Sequence, residues 1–579
     1  MNYEPHTFRN FAKISLSVLV FCVGMPAFAQ TEADLQEAAR QAEQLQRQVR
    51  EQLQRDVESA IPPERAPSGI DTRSLLPKID ASAAGAGCRE IREIVISGAP
   101  NLSDTVREQI TRTFVGRCLG VNEIEQILAE VTQYYIKRGL ITTRAYLPQQ
   151  DLSSGTLKIL VLEGVVGKII IEDGGRHSIA GNAFPSSAGD ILNLRALEQG
   201  IDQVNKLSSN KARLDIQPGE KPGESVVVIH NTPGVPFHAS LSADNHGSKS
   251  TGKNQVGVTL IADRLLGLDE LLLFTHRRSQ PNDLARQFSG SNSLSLAVPF
   301  GFNTLSLSFS NSKYVSTLHT PSGLDLKSNG TSSSKSLGLD RVLYRDQTTR
   351  WSLAGALVAK SSKNFLAEQF LSVSSRDLTT LDIDTSLTTF VLGGTATLGL
   401  GYSNGLRLAG ALEDPDGLPE SAPRAQFRKY KYSFHFARPF QLGGTHFTVS
   451  SSYTGQHALT TLYGSEQIGV GGNSSVRGFV NNSLSGDDGY YIRNEISAHP
   501  NLSIGDHRLP LRIFAGIDVG SVRSRAAGVP GGRLTGMAIG ISTAFKGASI
   551  EIFTGRPLHA PSFFKLEPSQ TWIRIGYAI

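Results

Sequence analysis

Nothing constrains this chain more than the two-residue period that runs from Phe237 to its end. Strand-like segments such as 254–263, 269–278, 291–299, 303–314, 349–360, 445–457 and 571–579 alternate there with turns rich in Gly, Asn, Ser and Asp. In Arg508–Gly520 the odd positions are Leu509, Leu511, Ile513, Ala515, Ile517 and Val519, and the even ones include Arg508, Arg512, Asp518 and Gly520. The final segment places Ile573, Ile575, Tyr577 and Ile579 on one face and Arg574 and Gly576 on the other. Successive strand residues point to opposite faces, so each segment has an apolar and a polar side. At about ten residues each, the segments are long enough to cross a bilayer when tilted. The pattern predicts a membrane all-β fold, an antiparallel transmembrane β-barrel of about sixteen strands over 237–579. An even strand number returns the C-terminus to the side that carries the N-terminal region.

Composition agrees once the alternation is seen. Only 39% of residues are hydrophobic and the mean hydropathy is slightly negative, as in strands that are half lumen-facing. Beyond the N-terminus no apolar run reaches the roughly 18 residues of a transmembrane helix. The net charge of +5 is small for 579 residues and no basic face is concentrated, which argues against nucleic-acid partners.

Residues 1–29 read as a secretory signal peptide. Arg9 and Lys13 precede the apolar stretch Ile14–Gly24, and Ala27-Phe-Ala29 supplies a small-residue cleavage site. Phe21 before Cys22 does not suit a lipoprotein cysteine. Cys88 and Cys118 then remain, 30 positions apart. In an oxidising compartment they fit a disulfide closing one small domain; the alternative is two unpaired buried thiols. No Cys/His spacing suggests a metal.

The segment 30–58 is helical by its spacing of Leu35, Ala38, Ala42, Leu45, Val49, Leu53 and Val57. Its apolar stripe is thin, which suits a coiled-coil-like segment or a helix docked in a polar cavity. Pro62, Pro63, Pro67, Pro77 and the Ala/Gly tract 81–87 mark 59–87 as a flexible linker. Two α/β units follow, at 88–164 and 165–232. The first reads β-α-α-β-β: a strand with Ile91, Ile94 and Ile96, a helix opened by Ser103, a helix with Ile124, Ile127, Leu128, Val131 and Tyr135 on one face, then strands Thr143–Leu147 and Leu157–Leu162. The second repeats this loosely through Val166–Glu172, a helix near Leu194–Leu207, and strands Ala212–Ile216 and Ser225–His230.

No catalytic constellation emerges. Gly247-Ser-Lys-Ser-Thr-Gly252-Lys253-Asn254 approaches a P-loop, but Asn254 holds the magnesium position and a strand follows where a helix is needed. A Gly-rich hairpin turn is the better reading. The His residues form no HExxH, and no strand-turn-helix nucleophile elbow is read. Asp487-Asp488, beside glycines, reads as a solvated loop tip. Neither enzyme activity nor a cofactor is expected.

Several motifs carry a family resemblance. Tyr135-Ile-Lys-Arg-Gly-Leu-Ile-Thr-Thr-Arg-Ala-Tyr-Leu-Pro148 and Gly155-Thr-Leu-Lys-Ile-Leu-Val-Leu-Glu-Gly164 look like a polypeptide-transport-associated (POTRA) domain. Asp244–Gly252 with Leu266-Gly-Leu-Asp269 is similar to a first barrel hairpin. Most specific are Val476-Arg477-Gly478-Phe479, Gly486-Asp487 with Tyr491–Glu495, and Phe514-Ala-Gly516-Ile-Asp518-Val-Gly520. In this order they resemble the two-partner secretion transporters, the haemolysin-activator and filamentous-haemagglutinin exporter family of the POTRA-barrel superfamily. The likeness covers nearly the whole mature chain. It departs at Tyr577-Ala-Ile579, where such barrels usually end in an aromatic residue.

The resemblance implies two periplasmic POTRA domains before a sixteen-strand barrel, and a loop of about 458–488 that folds into the lumen. The period of the strand puts Asp518 in the lumen, beside small Gly516 and Gly520. An Arg entering that low-dielectric space needs a carboxylate. Arg477 with Asp518 is therefore the favoured pair; the alternative leaves Arg477 solvated and pairs Asp518 with Arg512. The implied function is an outer-membrane transporter that takes an unfolded partner exoprotein from the periplasm through POTRA domains and secretes it without ATP. The 30–58 helix would occupy the lumen at rest. Further partners implied are outer-membrane lipids, and periplasmic chaperones with the barrel-assembly machinery for the chain's own insertion. A barrel-assembly insertase and a passive porin are the alternatives.

Overall fold

The computed structural model describes residues 32–60, 70–77, 87–319, 325–505, 507–526 and 528–579. The expected signal peptide, 1–29, lies outside the described residues, as do 61–69 and 78–86 of the expected linker.

Backbone amides in hydrocarbon have no water to bond, so a spanning sheet must close on itself. Here sixteen strands, from Phe237–Asp244 to Gln570–Ala578, each pair antiparallel with the next, and the last pairs with the first. A two-residue strand, Gln369–Phe370, only extends one hairpin. Side chains such as Leu241, Leu260, Phe309, Leu400, Ile517, Ile539 and Ile575 stand exposed on the outer wall. On the strand Arg512–Arg523 the even positions Phe514, Asp518 and Gly520 are buried inward while Ile513, Ala515 and Ile517 are exposed.

Two sequence expectations change. Arg508–Gly520 is not one strand: His507–Pro510 pairs with Asn501–Ile504 in a separate small hairpin, and the wall strand begins at Arg512. Pro510 closes that hairpin opposite Asn501 and Leu511 belongs to no ladder, so the apolar alternation runs across a break in pairing. The strands near 303–314 and 349–360 are also longer, at Asn303–His319 and Thr349–Leu366. Polar residues continue the ladder, as in Ser316 opposite Ser328 and Thr317 opposite Lys327. Apolar alternation ends where the lipid-facing requirement ends; backbone pairing does not.

Helix α1 (Glu32–Ala60) runs through the lumen, in contact with wall strands and the loop near 464. After it, Thr72–Leu75 forms one helical turn, and Ile70 N donates to Glu198 in the second α/β unit. In the first unit the strand Glu93–Ser97 runs parallel to Thr156–Leu162, which pairs antiparallel with Arg144–Tyr146. Helices α2 (Asp104–Arg112) and α3 (Val121–Lys137) flank this sheet. Apolar residues at intervals of three and four drive α3 inward: Ile124, Ile127, Val131 and Tyr135 meet Leu157 and Ile159 in one core. The Glu123 carboxylate accepts from Gly120 N and fixes the helix start. A short ladder, Arg89–Ile91 with Arg117–Leu119, is closed by a disulfide between Cys88 and Cys118.

The second unit repeats the sheet with Val165–Glu172, Arg213–Pro218 and Glu224–His230, under α4 (Leu194–Asn205). It has no counterpart of α2. The chain instead wraps Asp173, whose carboxylate accepts from the backbone N–H groups of Ser178, Arg176 and Gly175; these bonds, led by that of Ser178, hold it below the usual carboxylate range. This unit docks on the periplasmic turns of the barrel. Asp269 accepts from Ala180 N and Gly181 N, Asn182 donates to the carbonyls of Leu268 and Pro299, and Arg345 bonds Asp202 on α4 at 2.6 Å.

A bridge between residues 30 apart stabilises mainly by constraining the unfolded chain, by about 2–4 kcal/mol. Replacing both Cys88 and Cys118 by Ser is expected to speed amide exchange across 89–162 by roughly thirtyfold or more while barrel amides stay protected. Unchanged exchange in 89–162 would contradict that role.

Candidate functional site

Between the wall strands Thr445–Ala458 and Asp488–His499 the chain does not stay outside but turns into the lumen. Its tip is fixed by Arg477. Nε and Nη2 donate to the two oxygens of Asp518 at 2.7 and 2.8 Å, and the backbone N of Arg477 donates to Oδ2 at 3.0 Å. The remaining amino group, Nη1, bonds Glu495 at 2.8 Å. Both members of the central pair are buried, Arg477 at 3% exposure and Asp518 at 0%. Bidentate, charge-assisted geometry is what allows such a pair to exist out of water. Arg512 does not take Asp518; it bonds Glu495 and lies 3.9 Å from Glu551.

Small residues make the approach possible. A Cβ at Gly516 would collide with the Arg477 guanidinium, one at Gly520 with Val470, and one at Gly536 with the Arg477 carbonyl. Gly478 has φ of +106°, and a Cβ there would strike the backbone of Arg556 and Pro557 on the wall. Only glycine accepts that conformation without strain. Val476 and Phe479 flank it and are fully buried, packed with Val470, Leu484, Val522 and Leu534. The tetrad 476–479 thus joins a salt bridge to an apolar wedge.

Three further carboxylates hold the same assembly, and two of them, Glu567 and Glu466, carry no sequence signal of their own. Glu567, in the last outer turn, accepts from the backbone N–H groups of Val480, Asn481 and Asn482. Glu466, at the loop base, is buried against Lys360 at 2.7 Å and Lys429 at 3.2 Å. Asp487, expected in a solvated tip, is wholly buried and accepts from Leu462 N and Arg525 N at 2.7 and 2.6 Å. Its glycine neighbours reflect tight packing where the loop enters the barrel: a Cβ at Gly486 would meet the backbone of Arg523.

Beside this loop lies α1, held in a different way. Of its buried apolar residues, Ala42 and Leu45 meet Tyr314. Its polar contacts include Gln46 with Asn364, Glu43 with Arg376, Arg47 with Gly464 O, Arg50 with Ser465 O, Glu51 with Ser474, Gln44 with Ser483, and Asp56 with Arg277. The Gly-rich 247–254 segment is an outer turn between Phe237–Asp244 and Gln255–Asp263, which form a hairpin.

Comparisons with known proteins agree with this architecture. A family model described as haemolysin secretion/activation protein ShlB/FhaC/HecB matches residues 223–543. POTRA models match 90–164, in the ShlB-type form, and 166–218. The outer membrane transporter CdiB of Escherichia coli is 32% identical over 569 residues, covering 97% of this chain and 93% of that protein. The hemolysin transporter protein ShlB of Serratia marcescens is 29% identical, covering 83% and 84%. The solved structure of CdiB from Escherichia coli superposes with a TM-score of 0.82 at 30% identity, covering 94% of this chain and 99% of that one.

Removing one partner of a buried ion pair costs about 3–5 kcal/mol. Arg477→Ala, and equally Gly516→Ala with both charges intact, are expected to free the loop so that added protease cuts within 459–487, while the barrel keeps its heat-modifiable folded band. A loop still resistant in both variants would contradict the assignment.

Proposed function

The chain belongs to the haemolysin secretion/activation protein family, and from that premise we propose how its parts export a partner protein. It is an outer-membrane transporter of two-partner secretion, a β-barrel with POTRA domains on its periplasmic side. The partner enters from the periplasm as an unfolded chain and adds a strand to a free POTRA sheet edge, where backbone bonds give affinity without demanding one sequence. The edge strands are Glu93–Ser97 and Arg144–Tyr146 in the first unit and Val165–Glu172 and Arg213–Pro218 in the second. Folding outside the cell draws the partner forward, with no nucleotide consumed. The chain's own insertion uses lipid contacts along its apolar wall together with periplasmic chaperones and the barrel-assembly machinery.

One observation carries the reading: the lumen is filled by two pieces held in different ways. The 459–487 loop combines a buried bidentate ion pair with an apolar wedge, and water cannot replace either. Helix α1 has no such wedge among its described residues; apart from the ion pairs of Asp56 and Glu43, it is held mostly by side-chain hydrogen bonds that water reproduces at small net cost. The loop therefore stays and the helix leaves, on the segment between α1 and the first POTRA domain. A passive porin has no use for a filled lumen.

Deleting 32–60 is expected to raise conductance in planar bilayers severalfold. Conductance equal to that of the intact chain would contradict the plug.

A further inference from the structure

The join between the first and last strands is the weakest stretch of the wall. Ser240–Asp244 and Arg574–Ala578 give five registered pairs, against eight between the first two strands and seventeen between Asn303–His319 and Asp325–Arg345. Side chains extend it. Asn245 Nδ2 donates to Thr571 O at 3.0 Å, and its Oδ1 accepts from Ile573 N at 2.9 Å. Ala239 and Ile579 exchange backbone bonds below.

A charge cluster spans this seam from inside. Arg277, on the third strand, donates through Nη1 to Asp244 on the first at 2.8 Å and to Gln255 on the second at 2.9 Å. Its Nε and Nη2 grip Asp56 of α1 at 2.6 and 3.1 Å. Arg574, on the last strand and in register with Asp244, reaches the same Asp56 at 3.6 Å. Gln52, one helical turn before Asp56, also donates to Gln255. Glu551 lies opposite Arg574 in register, and Arg512 approaches it at 3.9 Å. Arg277, Asp56 and Asp244 all have side chains under a tenth exposed.

With α1 seated, Asp56 bridges Arg277 and Arg574 across the seam, and Arg55 of the same helix adds a third guanidinium beside them. With α1 gone, Asp56 and Arg55 leave together; Arg277 keeps Asp244 and Arg574 keeps Glu551 opposite it, but the carboxylate that joined the two arginines from inside is lost. The seam then rests on its short backbone ladder and Asn245. We propose that Asp56 both seats α1 in the channel and staples the seam, so that departure of the helix loosens the pairing of the first and last strands. The wall then gains one place where it widens for a passing chain while the 459–487 loop stays fixed. Asp56 is a positioning residue here, acting through Arg277 and Arg574; the inference rests on α1 as a resident plug.

The test uses the full chain in planar bilayers and, in parallel, the temperature at which its folded band is lost on a gel. Four chains are compared with the wild type: deletion of 32–60, Asp56→Asn, Asp56→Asn carrying an oxidised Leu241→Cys/Tyr577→Cys pair across the seam, and Gln54→Ala as an exposed control on the same helix. Asp56→Asn is expected to shift the closed-to-open ratio on the order of a hundredfold toward open, and to lower the folded-band temperature as the deletion does. The seam disulfide is expected to restore that temperature but leave the channel open, and Gln54→Ala to match wild type in both. If the deletion opens the channel and Asp56→Asn does not, Asp56 is not the seat and the proposal fails. If Asp56→Asn opens the channel with an unchanged folded-band temperature, the staple fails. A deletion that leaves conductance unchanged overturns instead the plug reading beneath it.

Discussion

A peptide group in hydrocarbon must find its hydrogen bond within the protein, and the architecture of this chain follows from that demand. Closure gives every wall strand two neighbours and removes lipid-exposed edges. It also encloses a lumen too wide for wall side chains alone to fill. What occupies the lumen is therefore the functional question, and the chain answers it with one loop and one helix.

Those two pieces differ in how they would exchange with water. Arg477 sits on Asp518 through three donors, with Val476 and Phe479 wedged beside it. Further points, Glu466 on Lys360 and Lys429 and Glu567 under the backbone of 480–482, hold the loop at both ends. Helix α1 offers Gln, Glu and Arg to wall and loop alike, with Ala42, Leu45 and Leu53 as the buried apolar residues among those described. A polar stripe is poor for a permanent core and suited to a part that departs. Asp56 is the exception, a buried carboxylate shared by Arg277 and Arg574, and so the contact whose loss has consequences for the wall.

The fold is legible in the sequence because a lipid-facing strand cannot hide its period: Ile513, Ala515 and Ile517 alternate with Phe514, Gly516 and Asp518 whatever the tertiary context. The same period makes Asp518 legible as an inward carboxylate beside small residues. Glu567, Glu466 and Asp56 are not legible, since each finds its partners on a distant element and no local spacing announces the meeting. Asp487 misleads for a physical reason: glycines beside a carboxylate signal solvent in most loops, and here they permit close packing. The alternation through Arg508 misleads too, because it continues across Leu511, the break between the small hairpin that Pro510 ends and the wall strand. Beyond the bilayer the period loses its meaning, and the ladders of Asn303–His319 and Thr349–Leu366 run on in polar residues.

The central claim is that the helix leaves while the loop stays. Paired spin labels test it most directly, one on lipid-facing Ile539 and the other on Gln54 of α1 or on Gln467 of the loop. Distances would be measured at rest and with a partner chain arrested in the channel by a folded fusion. The account predicts that the distance from Gln54 lengthens beyond the lumen on arrest while that from Gln467 is unchanged. A Gln54 distance that stays put, or a Gln467 distance that lengthens with it, would contradict the account.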